Sequence, residues 1–200
     1  MNLVSGIKKE KRRAMTELRA HDEPWAKRFR AIYDRGVEKY QTGARRAENL
    51  LTSDEARFLA SIGCTAQELY DFAEDWVEAG EPSFDVALCV TGVRRDYFLK
   101  EQDGQPSAQR LSMNAVPPKE ATFGGFTWLP RIIAKANAKL RGELPPELMY
   151  GCGADRRFLG SIGADPADFI RVIWEAAKDD QKILDYVKKK AKGNRRRTSG

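Results

Sequence analysis

Histidine is almost missing from this chain: His21 is the single one in 200 residues. A Ser-His-Asp or Cys-His relay would have to be built on that position. Its neighbours Asp22, Glu23 and Pro24 put it at a helix start, where a histidine decorates a turn. Cysteine is scarce as well. Cys64, Cys89 and Cys152 are odd in number and widely spaced, which excludes a disulfide framework and a CxxC zinc pattern. Cys64 and Cys152 therefore read as unpaired thiols that hold no metal. No apolar run approaches the roughly 18 residues of a spanning helix, so no membrane partner is expected. There is no phosphate loop of the GxxxxGKS type and no GxGxxG after a strand, so no cofactor is expected. The opening MNLVSGIKKEKRR places charge behind a very short apolar stretch, the wrong order for a secretory signal. The expected location is cytoplasmic.

Charge is abundant and unevenly placed. The net charge is +6, yet residues 51–180 carry 14 basic and 21 acidic side chains, while residues 181–200 carry 8 and 1. The body is acidic and both ends are basic. Near the C-terminus Lys188, Lys189, Lys190, Lys192, Arg195, Arg196 and Arg197 follow one another with only Ala191 as an apolar residue, which reads as a solvated, disordered tail over 191–200. Such a run neutralises phosphates without regard to sequence, so nucleic acid is the candidate partner of the tail. It lacks the interleaved aromatics of a base-stacking surface.

Hydrophobic residues make up 42% of the chain, enough for a core, and they recur at helical rather than alternating intervals. The fold class is all-α. Internal similarity is visible as well. ARFLASIG at 56–63 returns as RRFLGSIG at 156–163, each glycine being followed by a helix cap: Thr65 with Glu68, then Asp165 with Pro166. Trp25, Arg28, Phe29 and Ala31 match Trp128, Arg131, Ile132 and Ala134 in type and spacing. These echoes suggest a tandem duplication of one helical unit, with Trp25 and Trp128 as core anchors. The expected division is a basic helix in 1–22, centred on residues 5–20, a first repeat over 23–100, a flexible linker over 101–122, a second repeat over 123–190 and the tail. GGFTWLP is the one place for a short extended piece.

The second copy, FGGFTWLPRIIAKANAKLRG followed by LMYGCGADRRFLGSIGADPADF, resembles a bacterial domain of unknown function, the family numbered five thousand and sixty-nine. The resemblance runs from Phe123 to Val187. It rests on Gly124, Gly125, Leu129, Pro130, Arg131, Lys135, Ala136, Gly142, Tyr150, Cys152, Asp155, Phe158, Leu159 and Gly163. It departs from the family where an acidic residue is replaced by Ala134 and a Cys-Pro pair by Cys152-Gly153. It implies a relative and no activity.

Within that copy Arg131, Lys135, Tyr150, Cys152, Asp155 and Arg157 form the candidate ligand-binding cluster. Arg131 and Lys135 are one helical turn apart, and a guanidinium fork suits a small anion. The plainer expectation is an Arg131–Asp155 pair that pins the loop. The acidic series Asp71, Glu74, Asp75 and Glu78 has the spacing of a solvated helix face. The FLxSIG hairpin places acidic residues where a helix-hairpin-helix module would hold phosphate, and so reads as a helix corner. The expected function is a non-catalytic binding module that engages a protein partner or itself through the body and nucleic acid or another polyanion through basic termini. A small anionic-ligand or enzymatic site in the second repeat is the alternative.

Overall fold

The computed structural model describes residues 22–198. The helix expected over 5–20 and His21 lie outside the described residues. Among the described residues there are nine α-helices, a short 3-10 turn at Met113–Ala115 and one two-stranded ribbon, so the protein is essentially all-α. None of the described helices is long and apolar enough to cross a membrane.

In the first half, α1 spans Pro24–Gln41 with proline in its first turn, α2 is the short Ala47–Leu50, α3 spans Ser53–Ser61, α4 spans Ala66–Ala79 and α5 spans Phe84–Glu101. Capping boxes at Thr52 with Glu55 and at Thr65 with Glu68 start α3 and α4. Each satisfies two otherwise orphaned N–H groups and fixes where the helix begins. In the second half, β1 (Thr122–Phe123) pairs antiparallel with β2 (Phe126–Thr127). The turn between them uses Gly124 and Gly125 at φ 58° and 86°, the left-handed pair that a tight hairpin turn demands. Then follow α6 (Leu129–Arg141), α7 (Gly153–Ser161), α8 (Pro166–Ala176) and α9 (Asp180–Thr198).

The two FLxSIG segments adopt the same local form. Phe58 lies on α3 and Phe158 on α7, both nine-residue helices. Ser61 and Ser161 each donate to the carbonyl three residues back at 2.7 Å. Gly63 and Gly163 then reverse the chain at φ 70° and 67°. Gly63 has a second reason to be glycine: a Cβ there would lie 2.7 Å from the Phe98 ring and 3.1 Å from the Arg94 guanidinium carbon.

One hydrophobic core runs through both halves. Phe29 of α1, Leu88 of α5, Leu129 of α6 and Phe169 of α8 belong to the same buried cluster, each worth about 1.5–3 kcal/mol of transfer free energy. A smaller cluster of Tyr40, Leu50, Tyr70 and Ala73 closes the far end of α1 against α4. α5 is the central element, in contact with α1, α6 and α8. Trp25 and Trp128 are partly buried and pack on the outside of the core. Their indole N–H groups require polar partners, Glu23 and Asp155, which keeps them at its edge.

Two expectations about order differ from what is found. The segment between the halves is pinned to the end of α6: Leu111 N donates to Glu143 O at 2.8 Å, Arg110 to Gly142 O at 3.0 Å and Ser107 to the Glu143 carboxylate at 2.9 Å. α9 continues to Thr198 through the stretch read as a disordered tail. Lysine, arginine and alanine are strong helix formers. Ile183, Leu184, Val187 and Ala191 recur at helical spacing and are buried, and Asn194 donates to Ser161 O at 3.1 Å. Once Ala191 counts as part of that stripe, the tail has a surface to fold on.

Candidate functional site

The cluster begins with the entry to α6. The hairpin delivers Trp128 in the left-handed region, φ 76°, with its N–H held by Ala121 O at 3.1 Å. That turns the indole toward α7. Arg131, Lys135 and Lys139 follow at intervals of four and so share one side of α6. All three find partners inside the molecule.

Lys135 is 1% exposed and Asp155 0%. The Lys135 ammonium donates to one Asp155 oxygen at 2.5 Å and to Cys152 Sγ at 3.2 Å. The same carboxylate accepts Gly151 N at 2.9 Å and, on its other oxygen, Trp128 Nε1 at 2.8 Å. Burying two charges costs several kcal/mol per ion, and the pair holds because the carboxylate has three donors. Asp155 occupies the third position of α7, after Cys152 as its N-cap. A carboxylate in a first turn also faces the positive end of the helix.

Of the six residues expected to form a site, Lys135, Cys152 and Asp155 come together. Arg131 does not join them: it donates to Pro117 O at 2.7 Å and stacks beside the Trp128 ring at 5.6 Å. The anticipated Arg131–Asp155 pair is thus a Lys135–Asp155 pair, one turn further along α6, at the level where α7 packs. Tyr150 is buried and donates to Pro166 O at 2.7 Å, bridging to the start of α8. Burial, with Asp155 next in weight, pushes its phenol far above the usual range. Arg157 is exposed.

A second buried polar group lies one turn further along α6. Lys139, 2% exposed, reaches across to the first half and donates to Glu68 of α4 at 2.8 Å. Burial alone would raise the Glu68 carboxyl. The Lys139 ammonium, the Thr65 backbone N–H and the nearby Arg94 guanidinium outweigh it and hold the carboxyl below its ordinary value. Arg94 itself is 2% exposed, donates to Gln102 at 2.8 Å and is held below its ordinary value by burial. Asp71, next along α4, is pushed up to about 6 by burial first and by Glu68 in addition. The signal for Lys139 was its place four residues after Lys135; nothing local marked Glu68 as more than a cap. Asp75, expected on a solvated face, is bound by Arg156 of α7 at 2.7 Å. Glu74 accepts the Tyr40 and Tyr70 hydroxyls at 3.2 and 3.0 Å.

The basic residues of α9 are arranged differently. Lys188, Lys189, Lys192, Arg195 and Arg196 are exposed. At 3.6 residues per turn they fall within an arc of about 120°, turned away from the buried Ile183, Leu184, Val187 and Ala191. Lys190 stands apart, half-buried, 3.9 Å from Asp168 and 5.6 Å from the Tyr186 ring. The Arg197 side chain lies outside the described residues.

Both the Lys135–Asp155 cluster and the basic face of α9 belong to a segment that a family model recognises. Residues 116–199 match the domain of unknown function DUF5069. The match starts at the buried Val116, takes in the hairpin and α6 to α8, and ends within the described residues of α9 and one position beyond. No curated protein and no solved structure matches the chain. One hundred positions before Lys135, Cys152 and Asp155 stand Arg35, Thr52 and Glu55. Arg35 pairs with the buried Glu55, which Thr52 caps. The first-half pair has Thr52 where the second half has Cys152, and it makes an ordinary capping box.

Proposed function

We propose that this protein is a non-catalytic helical binding module that associates with nucleic acid or another polyanion through α9. The observation that carries this reading is the exposed arc of Lys188, Lys189, Lys192, Arg195 and Arg196 on a helix whose opposite side is anchored in the core. An ordered cationic face binds at lower entropic cost than a floppy tail with the same charges. The buried cluster supports the same side of the argument. Lys135 and Asp155 satisfy each other, so their chemistry is spent on holding α6, α7 and the hairpin together. The paired elements Arg35–Glu55 and Lys135–Asp155, with the matching FLxSIG turns, support descent of the two halves from one duplicated unit. We further propose that the helical body engages a protein partner or a second copy of itself, in the cytoplasm.

The test is binding to heparin and to nucleic acid as a function of salt. If about three or four of these exposed cations engage, log K falls with log salt at a slope of roughly −3. Replacing Lys188, Lys189, Lys192 and Arg196 by glutamine flattens the slope and leaves the thermal midpoint near that of the parent. Charge replacement is the cleaner design, because deletion from Lys188 onward also removes buried Ala191 and the Asn194 contact to α7. Unchanged affinity and slope in the glutamine variant would remove α9 from the proposal.

A further inference from the structure

We infer that the occupant of the α9 face is double-stranded DNA, gripped by its phosphate rows without regard to sequence; this rests on the polyanion reading above and narrows it to one class of ligand. Three observations select the duplex. First, residues 188–196 contain no aromatic side chain, and the closest aromatic in sequence, Tyr186, is half-buried with its ring 6.4 Å from that of Phe169. Single strands are held by stacking of bases on aromatic rings, about 1–3 kcal/mol per base. α9 offers no such platform. Trp76 is exposed, but it sits on α4, between Asp75 and Val77 and near the carboxylates Glu74 and Glu78, where phosphate is repelled.

Second, the dimensions fit. From Lys188 to Arg196 the helix rises about 12 Å, and its diameter with side chains of about 10–12 Å matches a B-form major groove about 12 Å wide. The 120° arc points long cationic side chains to both sides of the helix axis, toward the two phosphate rows that flank a groove. The major groove of duplex RNA is deep and narrow and does not admit a helix. Third, the side-chain amides and carboxylates that read adenine and cytosine are withheld. The amide of Asn194 is engaged with Ser161 O at 3.1 Å on the protein side of α9, and no glutamine or acidic residue occurs from 188 to 196. What remains is lysine and arginine: their contacts to phosphate carry no sequence information, and of the base edges they reach only guanine O6 and N7. The buried apolar stripe also argues against an anionic bilayer, since an interfacial helix needs that stripe free. The acidic surplus over residues 51–180 repels DNA from the rest of the surface and confines contact to this end.

The experiment uses the full chain and fluorescence anisotropy with four probes: two labelled 20-base-pair DNA duplexes of unrelated sequence, the single strand of one of them, and a duplex RNA of equal length, with heparin as competitor. At about 50 mM salt the two DNA duplexes are expected to bind within about twofold of each other and at least about fivefold tighter than single strand or duplex RNA. The K192Q/R196Q variant, at the centre of the stripe, is expected to lose close to two units of salt slope, at about 0.9 per phosphate contact, with an unchanged thermal midpoint. A single strand or duplex RNA that binds as tightly as duplex DNA overturns the DNA assignment and leaves the polyanion reading standing. A tenfold preference between the two duplexes overturns the sequence-blind grip. Absence of binding to every probe and to heparin removes both readings together.

Discussion

Replacing Asp155 with alanine removes three hydrogen bonds at once and leaves the Lys135 ammonium, 1% exposed, without its carboxylate. Breaking a buried ion pair at one partner costs about 3–5 kcal/mol, because the remaining charge stays in a poorly solvated site. At an m-value of about 2 kcal/mol per molar in urea, that is a fall of about 1.5–2.5 M in the midpoint. The companion variant Lys135→Met removes the stranded charge and keeps much of the side-chain volume. The double variant is therefore expected to be more stable than Asp155→Ala alone, a positive coupling that a double-mutant cycle reads directly. The assay is urea unfolding followed by circular dichroism and by Trp fluorescence, since Trp128 reports on the site itself. A loss below about 1 kcal/mol for Asp155→Ala, the size of a surface pair, would refute the claim that this pair ties α6 to α7. So would strict additivity of the two substitutions.

Asp71 and Glu68 make opposite pH predictions. The Asp71 carboxyl stands at about 6 in the folded protein, above its unfolded value of about 3.9, so its stabilising share is complete below about pH 4 and is lost as pH rises through 6. Asp71→Asn is expected to raise the thermal midpoint at pH 7.5 relative to the parent and to change it little at pH 4. Glu68 is held low, so its share is present above about pH 4.5 and is lost as pH falls below that; Glu68→Gln should flatten the acid limb of a stability-against-pH curve. Gly63→Ala and Gly163→Ala both pay about 1–2 kcal/mol for a left-handed backbone, but only the first drives a Cβ to 2.7 Å from the Phe98 ring, whereas the second meets the Asn194 side chain at 3.1 Å. Urea midpoints should therefore fall further for Gly63→Ala, and equal losses would show that the ring yields.

What the sequence by itself determined was local. Proline at the start of α1, the capping boxes at Thr52 and Thr65, the Gly124-Gly125 turn and the left-handed Gly63 and Gly163 are decided by backbone sterics and by hydrogen bonds within four or five residues. The helices and the two FLxSIG corners were accordingly legible, whereas of the hairpin only β2 lies in GGFTWLP, the place expected for a short extended piece. The candidate cluster was half legible, because periodicity places Lys135 on the right side of α6 but does not say which carboxylate it meets. Only packing chose Lys135 over Arg131 as the partner of Asp155, sent Lys139 across to Glu68 seventy-one positions earlier, and brought Arg156 to Asp75. Those pairings depend on where α4, α6 and α7 sit in three dimensions. The end of α9 shows the same division. A string of lysines and arginines is helical or disordered according to whether something covers one side of it, and the surface of α8 that does so exists only in the folded protein.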